Sequence, residues 1–277
     1  MPIAAQVVRR TRDSVPDLRR VLKALRATAA AVCTCLLLAC ATGTPQPYEA
    51  PPPAAGEHHT IALLGASGLV GGYLLQEALA RGYSVRALVR TPAKLEKFSG
   101  QITIIQGDAR DPQVVGELLR DSDVVISALG PVKADGAASL FINTTSTRNV
   151  LQAMQGTGIS QYIVVSGAAV VMPGDERDLL GWWIRTLAQI GLHDELQDKQ
   201  AEYAELAKGP ADWMLVRCPL IDPEPVRSAL LYSLATPPAF RVRAGELARF
   251  IIDQIEAREF IRQGPFVGSQ MPLTAQP

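Results

Sequence analysis

From residue 60 onward, short runs that are apolar on both sides alternate with longer stretches in which apolar positions recur every three or four residues. The first pattern marks strands covered on both faces, and the second marks helices that bury one stripe. Residues 60–64 (TIALL), 84–89, 102–105, 123–127 (DVVIS), 162–166 (YIVVS) and 214–217 (MLVR) read as strands. Residues 69–80 carry Leu69, Tyr73, Leu74, Ala78 and Leu79 at helical spacing. Residues 112–119 read as a helix capped by Asp111, and 137–154 as a long helix. Strands alternating with helices predict a parallel sheet with helices on both faces. The expected fold class is therefore α/β, one doubly wound domain over 59–277 with a carboxy-terminal, substrate-side cap. No internal repeat is evident.

The amino-terminal segment follows a different pattern. Residues 27–39 (ATAAAVCTCLLLA) are uncharged, but a membrane-spanning helix needs about 20 apolar residues. Seven basic residues (Arg9, Arg10, Arg12, Arg19, Arg20, Lys23, Arg26) precede the run. A basic lead and a short apolar run match a secretory signal peptide, here 1–39. The end of the run, Leu37-Leu38-Ala39-Cys40, resembles the lipobox of bacterial lipoproteins. That resemblance implies acylation of the Cys40 thiol and cleavage before it, giving a membrane-anchored protein on the periplasmic side. An unprocessed chain would instead be cytoplasmic, and the bland alternative is a buried helix with a chance cysteine. Arg19-Arg20-Val21-Leu22 resembles, weakly, a twin-arginine export signal, a route that carries folded proteins with their cofactors. Residues 40–58, rich in proline and without hydrophobic periodicity, read as an extended tether.

Charge and cysteine content narrow the function. Lys and Arg number 27 and Asp and Glu 27, a net charge of zero over 277 residues. Beyond residue 39 the balance is 20 basic to 25 acidic, which argues against nucleic acid as a partner. An apolar fraction of 48% excludes a wholly disordered chain. With Cys33 and Cys35 in the leader and Cys40 lipidated, only Cys218 remains, so neither an internal disulfide nor a cysteine metal cluster is available. Cys218 reads as a small core residue. His58, His59 and His193 show no metal-ligand spacing and read as surface residues. No Ser/His/Asp or paired-carboxylate arrangement points to a hydrolase.

Directly after the first core strand comes Gly65-Ala66-Ser67-Gly68-Leu69-Val70-Gly71-Gly72. In a strand–turn–helix context this spacing predicts a Rossmann-like phosphate cradle. Gly65 permits the tight turn, Gly68 lets backbone approach a pyrophosphate, and Gly71 lets the helix pack against the strand. The diphosphate would lie at the helix amino terminus, on free N–H groups and the helix dipole. The second strand ends Arg86-Ala87-Leu88-Val89-Arg90-Thr91, without the acid that usually hydrogen-bonds the ribose 2′-hydroxyl of NAD. Arg90 is placed to pair with a 2′-phosphate and Lys94 to assist, so NADP(H) is favoured over NAD(H). The alternative for Arg90 is a solvated strand end.

With these residues in place, the body resembles the atypical short-chain dehydrogenase/reductase superfamily, in its NAD(P)H-binding, flavin-reductase-like and NmrA-like branch. GASGLVG at 65–71, ALVR at 87–90, GDARD at 107–111, SALG at 127–130 and VVSG at 164–167 carry the resemblance. KQAEYAE at 199–205, DWMLVRCPL at 212–220, ARFIIDQI at 248–255 and PFVG at 265–268 extend it over nearly all of 60–268. The resemblance implies that Asp108, with Ala109, faces the adenine, and that Ser127, Ala128, Leu129 and Gly130 line the adenine ribose. It implies that Ser166 hydrogen-bonds substrate, that Lys199 holds the nicotinamide ribose, and that Pro219 lies beside the nicotinamide. Better-known branches use Tyr-x-x-x-Lys, but Glu195 stands where that tyrosine would be, and Tyr203 follows Lys199 in reversed order. Hydride transfer with another proton source, and nucleotide binding without turnover as in a sensor or scaffold, both stay open.

Residues 179–192 (LLGWWIRTLAQIGL) carry only Arg185 as a charge. They read as a lid over an apolar substrate such as a quinone or flavin, as a membrane-interface segment through Trp182 and Trp183, or as a packed helix or homodimer contact. The expected function is reduction of a small apolar carbonyl, quinone or flavin-like acceptor by NADP(H).

Overall fold

A computed structural model describes residues 43–50, 59–131, 136, 139–176 and 179–270. The leader, Arg19-Arg20, Cys40, His58 and the second half of the proline-rich segment lie outside the described residues. In chain order the elements begin β1 (Gln46–Pro47), β2 (Thr60–Leu64), α1 (Leu69–Ala80) and β3 (Ser84–Val89). A 3₁₀ helix (Pro92–Phe98), β4 (Thr103–Gln106), α2 (Pro112–Leu119), β5 (Val124–Ser127), α3 (Ile142–Met154) and β6 (Gln161–Gly167) follow. Then come α4 (Leu179–Gly191), α5 (His193–Lys208), β7 (Asp212–Cys218), β8 (Leu220–Asp222), β9 (Leu230–Ser233), β10 (Arg241–Arg243), α6 (Ala244–Ala257) and β11 (Phe266–Ser269).

The main sheet runs β1-β9-β11-β7-β6-β5-β2-β3-β4, parallel from β11 through β4. β2 lies between β3 and β5: the chain winds outward through β3 and β4, then returns to the other side through β5, β6 and β7. That reversal between β2 and β5 is a topological switch point, where open α/β sheets bind ligands. Alternation along each strand divides the core. Ile61, Leu63, Val85, Ala87, Val124, Ile126 and Ile163 pack with α1 and α6. Ala62, Leu64, Leu88, Val125, Tyr162, Val164 and Leu215 pack on the other face with α2, α3 and α5. The doubly wound α/β fold is as the pattern predicts, and β2–β7 fall within two residues of the expected strands.

Two readings need correction. The expected helix at 137–154 begins at Ile142, after Phe141 in the left-handed region at φ 58°. A distant acid sets this start: the Asp198 carboxylate, buried on α5, accepts the main-chain N–H groups of Asn143 and Thr144 at 2.9 Å each. These are two of the donors that a helix start leaves unpaired. Second, the supposed tether is docked over part of its length. β1 pairs antiparallel with β9, and Tyr48 is buried, edge-on to Phe250 at 4.8 Å. The carboxy-terminal region supplies strands to the sheet as well. β9 and β11 extend the main sheet, while β8 and β10 form a two-stranded sheet directly after β7.

Candidate nucleotide-binding cleft

The glycine turn has the geometry its spacing predicts. Gly65 adopts φ 82°, and a Cβ there would lie 2.5 Å from the Ala128 carbonyl oxygen. A Cβ on Gly71 would lie 2.0 Å from the Gly65 carbonyl oxygen, so strand end and helix start touch through backbone. Gly68 donates its N–H to the Gly65 carbonyl at 2.9 Å and forms the N-cap of α1 without a side-chain hydrogen bond. No acid occupies the first turn. The N–H groups opening α1 therefore remain available to an anion, and the dipole favours one. Ala66 and Val70 point into the core and hold the turn, whereas Ser67, Gly68 and Leu69 are exposed.

This turn forms one wall of a cleft of about 550 Å³. Of the predicted cofactor residues, Gly65, Ser67, Gly68, Arg90, Lys94, Asp108, Ala109, Ala128, Leu129 and Gly130 line it. The structure thus gathers the carboxyl ends of β2, β3 and β5 and the loop after β4 around one space. Arg110 also lines the cleft and was given no role from sequence, although it lies inside the GDARD match. Its guanidinium donates to both Asp108 oxygens, at 2.9 and 2.6 Å. Those bonds, together with the Arg110 charge and that of Arg90, hold the Asp108 carboxyl below the usual carboxylate range, against partial burial. Among the described residues, one neutralised acid and three cations give this cleft an excess of positive charge.

Ser127, expected to line the adenine ribose, does not line the cleft. It is buried at the end of β5, hydrogen-bonded to the Tyr162 hydroxyl. Tyr162 continues to Thr147 at 3.0 Å, Thr147 to Glu202 at 3.1 Å, and Glu202 to Lys199 at 3.0 Å. Lys199 lies in this buried chain and also donates to the carbonyls of Val165 (3.0 Å) and Leu129 (3.4 Å). An ammonium group has three N–H donors, and all three meet protein acceptors here. Burial raises the Glu202 pKa, and the Lys199 charge opposes that shift.

Ser166 lies at the end of β6, buried, and its hydroxyl has no partner. An orphaned buried hydroxyl costs free energy unless a ligand or water meets it, so it fits the substrate-binding role the sequence implies. Pro219, half-buried, follows β7, the strand that pairs with β6. The Lys199 ammonium is held by Glu202, and Tyr203 packs edge-on against Trp213 at 5.9 Å. Cys218 is buried as expected, and burial pushes its thiol up to about 12. His59 pairs with Glu256 at 3.2 Å, and among the described residues no cluster of metal-ligating side chains occurs.

The sequence profile of the NAD(P)H-binding family matches residues 65–258, from the first glycine of the turn through α6. The chain belongs to this family. Membership in it supports a nicotinamide cofactor for this chain. It is 28% identical over 123 residues to a 3 beta-hydroxysteroid dehydrogenase/Delta 5-->4-isomerase of Mycobacterium tuberculosis, covering 41% of this chain and 33% of that one. It spans about a third of the length of the curated relatives it matches. Among solved structures, ChuY, an anaerobillin reductase of Escherichia coli O157:H7, superposes with TM-score 0.61 at 20% identity. That match covers 79% of this chain and 98% of the other. A Burkholderia pseudomallei protein provisionally described as exported superposes with TM-score 0.61 at 25% identity, covering 76% and 99%.

Proposed function

We propose that the chain is an NADP(H)-dependent oxidoreductase acting on a small apolar carbonyl, quinone or flavin-like acceptor. The observation that carries the cofactor preference is the charge set at the end of β3. Arg90 and Lys94 line the cleft with Arg110, and among the described residues the one carboxylate lining it is tied to Arg110. An acid at this position would repel a 2′-phosphate, whereas guanidinium groups bind one through charge-assisted bonds.

Gly65, Gly68 and the opening turn of α1 would hold the diphosphate, and Arg90 and Lys94 the 2′-phosphate. When bound, the cofactor supplies the hydride. The chain's own contribution is positional: the Ser166 hydroxyl orients an acceptor oxygen, and the Lys199 ammonium fixes the ends of β5 and β6 through two carbonyls. Apolar surface marks the acceptor side. Leu220 and Phe240 are exposed beyond Pro219 and joined by the Leu220 N–H to the Phe240 carbonyl at 3.2 Å.

The decisive experiment compares nucleotides by fluorescence titration of the full chain and Arg90→Ala. NADPH is expected to bind more tightly than NADH. The variant should lose roughly 10–100-fold in NADPH affinity, the worth of one charge-assisted contact, with little change for NADH. Equal affinities in both proteins would overturn the preference.

A second reading, a nucleotide-binding sensor without turnover, is favoured by Lys199, whose donors are all engaged while Tyr203 packs elsewhere. Steady NADPH oxidation with any quinone, flavin or aldehyde would exclude it. Tight NADPH binding without any acceptor would establish it.

A further inference from the structure

We infer that α4 lies in the surface of a lipid bilayer, and that the amino-terminal segment holds it there. α4 presents large apolar side chains outward. Leu179, Trp182, Trp183, Leu187 and Ile190 are each more than half exposed, Leu179 and Ile190 by 80%. At 100° per residue these five positions fall within one sector of about 140°. The single charge of the helix, Arg185, lies on the opposite side and donates to the Ala169 carbonyl at 2.9 Å, which fastens the helix to the segment after β6. The one polar group in the outward sector is already satisfied: the Thr186 hydroxyl donates to the Trp182 carbonyl at 2.9 Å. An outward face that is apolar, carries two tryptophans and has no unpaired hydroxyl suits the boundary between headgroups and acyl chains. Its 13 residues make a rod of about 20 Å, and among the described residues no helix is long and apolar enough to cross a membrane.

Chain connectivity selects lipid as the occupant. The described body begins at Gly43, whose carbonyl accepts the Ser233 hydroxyl at 3.4 Å. A side chain on Gly43 would meet the Glu176 carboxylate at 3.3 Å, and the Glu176 N–H donates to the Ala235 carbonyl at 3.0 Å. α4 starts three residues after Glu176. The amino-terminal chain therefore leaves the body next to the start of the outward-facing helix. Only two residues lie between Gly43 and Cys40, three Cα–Cα steps with a reach of at most about 11 Å. Cys40 closes the uncharged run at 27–39. Whether that run is retained or is replaced by an acylated Cys40, an apolar membrane-seeking group lies within this short reach of the body. Because β1 and Tyr48 fasten the segment to the sheet, the link is too short for the body to stand away from the lipid.

The chain's three tryptophans make the test direct: Trp182 and Trp183 are exposed and Trp213 is buried. Full chain purified from bacterial membranes is reconstituted into phosphatidylethanolamine/phosphatidylglycerol vesicles with or without brominated phosphatidylcholine. Seating in the bilayer should blue-shift the emission and let the brominated lipid quench roughly half of it or more. Trp182→Phe/Trp183→Phe should leave the remaining emission unquenched, and Ile190→Asp should weaken the quenching in an otherwise folded protein. Vesicle-bound protein with unquenched tryptophans would overturn the inference. So would tryptophans that become protected without lipid, either with rising protein concentration, showing a second copy on this face, or on NADPH addition, showing a lid. A nucleotide titration on the same sample separates this result from any failure of the oxidoreductase reading.

Discussion

Asp108 and Arg110 show how one pair of side chains sets both the charge of the cleft and a part of its stability. Arg110 grips both carboxylate oxygens and holds the Asp108 pKa below its ordinary value of 3.8. The folded chain then binds fewer protons at this site than the unfolded chain when the pH is near that value. The stabilisation is present above the ordinary carboxylate pKa and is lost as pH falls through the depressed one. Asp108→Asn is expected to cost about 0.5–1 kcal/mol at pH 7, the scale of a partly exposed ion pair. In urea melts from pH 7 to pH 3, the gap between the two proteins should hold to about pH 5 and close below the unfolded pKa. A gap of the same size at pH 3 would show that the carboxylate charge contributes nothing.

β1 is the element that the sequence hid. It is two residues long, in a proline-rich stretch, and such a segment has no periodicity to read. What places it is Tyr48, which stacks edge-on against Phe250 and Tyr232 and accepts a hydrogen bond from Gln254 at 3.1 Å. Tyr48→Ala is expected to cost about 2–4 kcal/mol, the range for emptying a large core site, and to speed proteolysis between residues 43 and 58. Tyr48→Phe should cost less, about 1–2 kcal/mol, because it keeps the ring packing and removes only the hydroxyl's interactions with Gln254 and Asp253. Equal melting of all three proteins would show the segment to be undocked. β2–β7 were legible because strands buried on both faces are apolar throughout, and the glycine turn because its spacing follows a strand. β8–β11 are three or four residues each and depend on partners far away in sequence. The start of α3 depends on Asp198, about 55 residues on, and the engagement of Lys199 on Glu202, which only the fold brings against Thr147 and Tyr162. The cleft was legible from glycines and cations; its buried wiring required three dimensions.

For the whole molecule, the cleft lies where the two windings of the sheet diverge, so a dinucleotide bound there would tie β2, β3, the loop after β4 and the end of β5 together. These elements belong to both halves of the fold, and none could separate without releasing the ligand. Nucleotide binding should therefore stabilise the domain as one unit and not only a local loop. At 100 times its Kd, a ligand that binds only the folded state adds about 2.7 kcal/mol. At about 2–4 °C per kcal/mol for a domain of this size, NADPH should raise the Tm by roughly 5–11 °C. NADH at the same concentration should raise it less, by the amount the 2′-phosphate contributes through Arg90 and Lys94. Gly71→Ala should start from a lower Tm, because its Cβ meets the Gly65 carbonyl, and should show no NADPH-dependent shift. If that variant does not fold, Arg90→Ala supplies the control, since it should keep the NADH shift and lose the excess given by NADPH. A wild-type Tm that moves with neither nucleotide would mean the cleft does not bind a dinucleotide, and both the catalyst and the sensor readings would fail.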